Sequence, residues 1–364
     1  MDDLSHMRAA LALARRGLGN CWPNPSVGCV VVRDGRVVGR AVTAPGGRPH
    51  AEPVALEMAG GAARGATVYV TLEPCCHHGR TPPCTDALIA AGVARVVVAA
   101  RDCDPRVNGE GIARLREAGI AVEEGLLKAE AEEVNAGFFT RVRSGRPLVT
   151  LKLASTLDGR IATHGGESKW ITGEPARRMA HALRGRHDAV LAGVGTVLTD
   201  DPDLTCRIPG YKPVAVVRVV ADSHLRTRLT ARLVATARET PTWIVTRNGC
   251  DPVRSRLLTQ SGVTVIEVAA GSPGVDLAEA LKALAQRGIT RVLAEGGAQI
   301  AAALLRADLV DRIAWFHAPS VMGGDGWPAA QAFGVQALAA IPRFVRDAAT
   351  PVGDDMLTEL RRAA

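Results

Sequence analysis

The chain has 364 residues, of which 47% are apolar, 3% aromatic and 22% charged, with a formal net charge of +7. That length predicts two domains, and no apolar run approaches the roughly 18 residues that a membrane helix needs. The positive charge is almost all arginine and is scattered without a basic tract, and aromatics are too few for a stacking platform, so the balance argues against nucleic acid and suits a small phosphorylated ligand.

The opening stretch places Leu4, Met7, Leu11, Ala14 and Leu18 at helical spacing and begins acidic. This predicts a helix and not a signal peptide. The protein is therefore expected in the cytoplasm, where its eight cysteines serve as thiols, metal ligands or core residues rather than disulfides. Next comes VGCVVVRDGRVVGR, a hairpin turning at Asp34-Gly35. HAEPVALEMAG predicts a helix, ATVYVTL a buried strand, TDALIAAG a short helix and VARVVVAA a strand. GIARLREAG follows as a helix and IAVEEG as a strand. The order β-β-α-β-α-β-α-β predicts a mixed sheet covered by helices. A charged helical stretch over Leu127 to Arg143 ends in Ser144 to Pro147, a plausible boundary, giving domains 1–145 and 146–364.

The second part alternates again. LVTLKLAS is a strand, Pro175 to Arg186 a helix, and DAVLAG, PVAVVRVV, TWIVT and VTVIEV are strands. A helix over Asp276 to Arg287 leads to the strand RVLAEGG, the helix AQIAAALLRA and the strand RIAWFHAP. Both domains are thus α/β.

Chemistry concentrates first in TLEPCCHHGRTPPC, Thr71 to Cys84, and in His50-Ala51-Glu52 upstream. His50 and Cys84 lie at predicted helix starts, and Cys75 follows a predicted strand, so rigid backbone holds each. One His and two Cys are three good zinc ligands, which leaves a position open as catalytic sites do. Glu52 stands at the offset where zinc deaminases carry a proton-moving glutamate, the H-x-E then P-C-x-x-C signature. Here eight residues separate the two cysteines, a stretched form. The competing reading is a closed structural zinc with Cys76 or His77 as fourth ligand, which leaves Glu52 without a task. A nucleic-acid base deaminase with an accessory domain and a non-catalytic zinc-stapled binding protein are the rival functions.

In the second part, GVGTV, Gly193 to Val197, follows a strand, and Gly296-Gly297 lies between a strand and a helix. Either turn lets backbone approach a phosphate, but no full G-x-G-x-x-G is present.

With HAE upstream, TLEPCCHHGRTPPC resembles the bifunctional deaminase-reductases of riboflavin biosynthesis. LKLASTLDGRIAT, GESKWITG, GVGTVLTDDPDLTCR and AEGGA resemble the reductase part in order, so the likeness runs from about Leu4 to Pro319. It implies a cytidine-deaminase-like zinc domain followed by a dihydrofolate-reductase-like domain. It also implies two successive reactions: hydrolytic deamination of diamino-hydroxy-phosphoribosylaminopyrimidine, then NADPH-dependent reduction of the ribosyl group to ribityl. The zinc ligands would be His50, Cys75 and Cys84, with Glu52 catalytic.

The resemblance places NADPH along Ala154, Trp170, Thr196, Asp200 and Ser223, and along Gly297, Ala298, Gln299, Ile300, Ala301, Ala302 and Ala303. It places substrate at Asn24, Lys152, Ser168, Arg184, Leu204, Arg207 and Glu295. Arg184 and Arg207 are suited to forked bonds with a phosphate, and Asp200, Glu295 or Lys152 to moving protons. Arg101-Asp102 and Asn108-Gly109 fall where the family's substrate loop lies. Thr43 and Pro53 depart from it, each standing where many members carry histidine. A homo-oligomer, dimer or tetramer, is expected from the family.

Overall fold

The structure, a computed structural model, describes residues 2–211, 214–271 and 274–363. It falls into two compact units, Met1–Gly145 and Arg146–Ala364.

The first unit runs α1 (Asp3–Gly17), β1 (Gly28–Arg33), β2 (Arg36–Val42), α2 (Ala51–Ala59), β3 (Thr67–Val70), α3 (Cys84–Ala91), β4 (Arg95–Val98), α4 (Glu110–Glu117), β5 (Ala121–Glu124), α5 (Lys128–Val134) and α6 (Ala136–Ser144). Its sheet has the order β2-β1-β3-β4-β5. The hairpin β1–β2 and the pair β1–β3 are antiparallel, while β3, β4 and β5 are parallel. The strands are almost continuously apolar because helices cover the sheet; Val31, Val68, Val70, Val96 and Val98 are fully buried. Met7, Leu11 and Ala14 of α1 pack into the same core. Asp2 caps α1 by accepting from the Ser5 amide at 2.9 Å. A Cβ at Gly28 would lie 1.9 Å from the Ala10 carbonyl oxygen, so only glycine lets α1 press this closely on β1.

The charged stretch read as one helix is two. It breaks at Asn135, whose side chain accepts from the Ser26 amide at 2.9 Å and donates to the Ser26 carbonyl at 3.2 Å. That tertiary tie, invisible in local periodicity, fixes the break.

The second unit continues with β6 (Leu148–Thr156), β7 (Arg160–Ala162), α7 (Glu174–Gly185), β8 (Ala189–Gly193), α8 (Val194–Asp200), β9 (Val217–Ala221), α9 (Arg232–Ala235), β10 (Thr242–Arg247), α10 (Pro252–Gln260) and β11 (Thr264–Val268). Then come β12 (Ala270–Gly271), β13 (Gly274–Val275), α11 (Leu277–Gln286), β14 (Arg291–Glu295), α12 (Ala298–Arg306), β15 (Arg312–Ala318), β16 (Trp327–Pro328), β17 (Phe344–Val352) and β18 (Asp355–Arg362). A nine-stranded sheet has the order β11-β10-β9-β8-β14-β6-β15-β18-β17. It is parallel from β11 to β15, and an antiparallel hairpin, β17–β18, closes one edge.

The strand read over PVAVVRVV is observed as β9 alone; its Pro213 lies outside the described residues. GVGTV, read as a turn, opens α8 immediately after β8. The sequence reading did not find α10 or the β17–β18 hairpin.

Candidate functional site

In the first unit, α2 and α3 present their N-terminal ends to the loop after β3. His50 caps the start of α2 and Cys84 is the first residue of α3, while Cys75 lies in that loop. His50 Nδ1 is 3.3 Å from Cys84 Sγ and 3.7 Å from Cys75 Sγ. One donor atom from each residue lies within 4.8 Å of the other two. The Cys84 amide donates to Cys75 Sγ at 3.4 Å. The hydrogen bond from Cys84, with His50 beside it, pulls the Cys75 thiol down to about 4 although burial opposes this. Cys84 is pushed the other way by that same bond and by burial. An imidazole and two sulfurs, one held as thiolate, are the donor set zinc takes.

Glu52, in the first turn of α2, is 3% exposed, and its Oε2 is buried with no hydrogen-bond partner. Burial raises its carboxyl to about 7, against the opposing pull of His50. A buried acid with an idle oxygen and a value near neutrality is built to exchange protons with something brought to it.

Asn24 lies against the site: its amide is 3.3 Å from His50 Nε2 and donates to the Gly47 carbonyl at 2.8 Å. Thr43 turns away, its Oγ1 accepting from the Val27 amide at 2.9 Å. Pro53 occupies the first turn of α2, where no intrahelical amide is needed. The other members of the Cys-His cluster stay outside the donor group: Cys76 donates to the Arg106 carbonyl, the His77 Nδ1 is buried without a partner, and His78 is exposed.

In the second unit, Glu295 ends β14, Gly296 and Gly297 follow it, and Thr196 lies in α8 just after β8, on the carboxyl side of parallel strands where open α/β sheets bind ligands; Lys152 and Ala154 lie within β6. Lys152 on β6 is the register partner of Glu295 on β14. Glu295 takes both forks of Arg184 from α7, at 2.6 and 2.9 Å, and a third Arg184 nitrogen donates to the Thr205 carbonyl at 3.0 Å. The forked grip on phosphate expected of Arg184 is thus not the arrangement found; its fork is taken by Glu295. Arg207 is half exposed and bonded to Asp203 at 3.0 Å. Burial lifts the Glu295 carboxyl, but Arg184, Lys152 and His181 more than offset it and hold it below the usual glutamate range. Burial holds the Lys152 amine below the usual lysine range, with Glu295 opposing. The sequence reading missed His181, whose Nδ1 lies 3.0 Å from the Thr205 carbonyl and 3.2 Å from the Arg207 amide. Its signal was present: His181 sits one helical turn before Arg184.

The turn from β14 to α12 holds Gly296 and Gly297, both at positive φ and exposed. A Cβ at Gly296 would lie 3.1 Å from the Thr196 side chain, and one at Gly193 would lie 2.9 Å from Ile300. Thr196, Ile300 and the two glycines therefore form one bare cradle at the N-terminus of α12, suited to a phosphate-bearing cofactor. Ser223, just past β9, packs by Gly274. Gln299 is exposed, and Ala154, Ala298 and Ala303 are half-buried. Ala301 and Ala302 are buried in the core at 2% and 3% exposure, so their side chains are not offered to a ligand. Leu204 is likewise buried, while Ser168 is exposed. Asp200 lies 3.8 Å from Lys169, and Trp170 is 71% exposed with the Arg177 guanidinium 4.5 Å over its ring.

Residues 1–100 match the family model for the cytidine and deoxycytidylate deaminase zinc-binding region, and residues 147–357 match that of the RibD C-terminal domain. The riboflavin biosynthesis protein RibD of Escherichia coli is 42% identical over 99% of both chains, and that of Aquifex aeolicus 45% identical over 88% of both. The solved Acinetobacter baumannii RibD (form 1) has a TM-score of 0.90 at 37% identity, covering 100% of this chain and 99% of its own. A Thermotoga maritima structure, described as a diaminohydroxyphosphoribosylaminopyrimidine deaminase/5-amino-6-(5-phosphoribosylamino)uracil reductase, has a TM-score of 0.85 at 36% identity over 99% of this chain and 98% of its own. The chain belongs to the RibD family, the bifunctional deaminase-reductases of riboflavin biosynthesis, with a cytidine-deaminase-like domain followed by a dihydrofolate-reductase-like one.

Proposed function

We propose that residues 1–145 deaminate diamino-hydroxy-phosphoribosylaminopyrimidine and that residues 146–364 then reduce the ribosyl group of the product with NADPH. The observation that carries the first half is the convergence of His50, Cys75 and Cys84 beside the idle, buried Oε2 of Glu52. Those three residues would hold zinc, which supplies Lewis acidity and makes hydroxide available near neutral pH. Glu52 takes the proton of the attacking water and returns it to the departing amino group, so ammonia leaves and a ring carbonyl remains. Asn24 holds the His50 ring and faces the pyrimidine edge.

For the second half, the bare cradle of Thr196, Gly296, Gly297 and Ile300 supports a phosphate-bearing cofactor. Ala154, Trp170, Asp200, Ser223 and the start of α12 extend that contact. NADPH supplies the hydride for the first ribosyl carbon. Lys152 gives the ring oxygen the proton that opens the ring, and its register partner Glu295, kept ionised by Arg184, holds Lys152 charged for that transfer. Arg207 and Ser168 receive the substrate phosphate. Asp200, paired toward exposed Lys169, is the weaker proton carrier.

The substrate is a small phosphorylated pyrimidine; among the described residues no helix is long and apolar enough to cross a membrane. A cytoplasmic homo-oligomer, dimer or tetramer, completes the reading. The test follows ammonia release and product mass with the diaminopyrimidine ribosyl phosphate, first without NADPH and then with it. Deaminated product alone, then the ribityl product, is expected. No ammonia from that compound, but NADPH oxidation on the pre-deaminated one, would mean a reductase joined to an inactive deaminase domain.

A further inference from the structure

Glu73, between β3 and Cys75, is 3% exposed. Among the described residues no cationic side chain is bonded to this buried acid. Instead its carboxylate accepts from four backbone amides: Asp102 at 3.2 Å, Gly109 at 2.9 and 3.0 Å, Gly111 at 3.0 Å and Ile112 at 3.2 Å. The backbone amide of Glu73 itself donates to the Ala100 carbonyl at 2.9 Å. The residue thus fastens both ends of the loop from Arg101 to Asn108.

Local sequence is cut to this purpose. The N-cap of α4 is Gly109, which has no side chain to cap the helix, and Glu73 caps it from a distance. A Cβ at Gly111 would lie 2.1 Å from the Pro74 carbonyl oxygen, so glycine is needed for the loop to close on the carboxylate. The fastened loop also meets the metal-ligand turn, because Cys76 donates to the Arg106 carbonyl and Arg114 to the Cys76 carbonyl at 3.2 Å.

We infer that Glu73 is a positioning residue for the deamination: it locks loop 101–108 beside the His50–Cys75–Cys84 site in the form that receives the pyrimidine substrate. This rests on the deaminase reading of the first unit. Glu73 touches neither metal ligand side chains nor reacting atoms; it acts through the loop.

The test compares full-length wild type, Glu73→Gln and Glu73→Asp. Glutamine keeps the shape but loses the charge and turns an NH2 toward amide donors; aspartate keeps the charge and withdraws it by one methylene. Loss of charged hydrogen bonds of this kind predicts a KM for the diaminopyrimidine raised roughly 10- to 100-fold in Glu73→Gln, with kcat little changed. Aspartate should show the same rise in smaller measure. Amide hydrogen exchange across residues 101–112 should accelerate, while zinc content and reduction of pre-deaminated substrate stay at wild-type levels. An active wild type with KM and exchange unmoved in both variants overturns the assignment. So does loss of zinc together with kcat, which would make Glu73 a support of the ligand turn. If Glu73→Gln does not accumulate, unchanged KM in Glu73→Asp overturns it equally. Wild type that releases no ammonia overturns the deaminase reading itself, an outcome distinct from the others.

Discussion

Glu295→Gln tests how the second unit holds an acid in its interior. The side chains of Arg184 and Glu295 are 14% and 8% exposed and meet through two bonds. Removing the carboxylate charge strands the guanidinium, with the Lys152 amine beside it, and uncompensated buried charge costs about 3–5 kcal/mol. For a unit the size of Arg146–Ala364 that lowers its Tm by roughly 6–20 °C. Arg184→Met strands the acid instead and should cost a similar amount. The double variant strands neither partner, so its loss should fall short of the sum by about 1–3 kcal/mol.

The sign of the pH effect follows from the direction of the shift. Arg184 and its neighbours hold the folded Glu295 below the glutamate value of 4.5, so its stabilisation is complete above that value and is lost as pH falls through the folded one. The Tm gap between wild type and Glu295→Gln should therefore be widest near neutral pH and narrow below about 4.5. Calorimetry at several pH values measures both quantities. A gap indifferent to pH, or a double variant that loses the full sum, would refute the account of the pair.

Glu52→Gln should cut ammonia release by roughly 100-fold or more while NADPH oxidation on the deaminated compound continues; loss of both would break the independence of the two sites. Chelation of zinc should do the same, with activity restored by added zinc, and ammonia release that survives complete metal removal would contradict the ligand assignment. Gly28→Ala drives a Cβ to 1.9 Å from the Ala10 carbonyl oxygen and should destabilise the first unit by about 3 kcal/mol or more, read as an early unfolding transition. Burial raises Asp102 from 3.8 to about 6, so the folded state holds its proton longer than the unfolded chain and stability falls as pH rises between those values. The fall should amount to about 3 kcal/mol and vanish in Asp102→Asn; an identical pH profile in the variant would show that another group is responsible.

Local pattern carried most of this architecture. The apolar runs around Val31, Val68, Val96 and Leu191 announced their strands, and Asp34-Gly35 announced its turn, because burial and turn geometry act over a few residues. The metal group was legible for a related reason: HAE and the two Pro-Cys pairs sit at element boundaries that a sheet of this order draws together. What escaped reading depends on contacts far along the chain. Asn135 breaks a helix through a bond to Ser26, and Glu73 orders a loop about 30 residues downstream. The β17–β18 hairpin was missed because its first strand is largely exposed and lacks the apolar alternation that marks a half-buried strand. Arg184 was assigned by type, as a phosphate ligand, but sequence holds no record that a carboxylate at the end of β14 has already taken its fork.

Glu295 is bonded directly to Gly296, with no residue between the proton-handling acid and the cradle. The acid ends a strand locked between β6 and β8 and grips Arg184, which in turn holds the Thr205 carbonyl. On the other side, Gly297 opens α12. The glycine pair is therefore a two-residue exposed link between an acid held by Arg184 and the start of α12, so the same short segment places both the proton-handling group and the cofactor cradle.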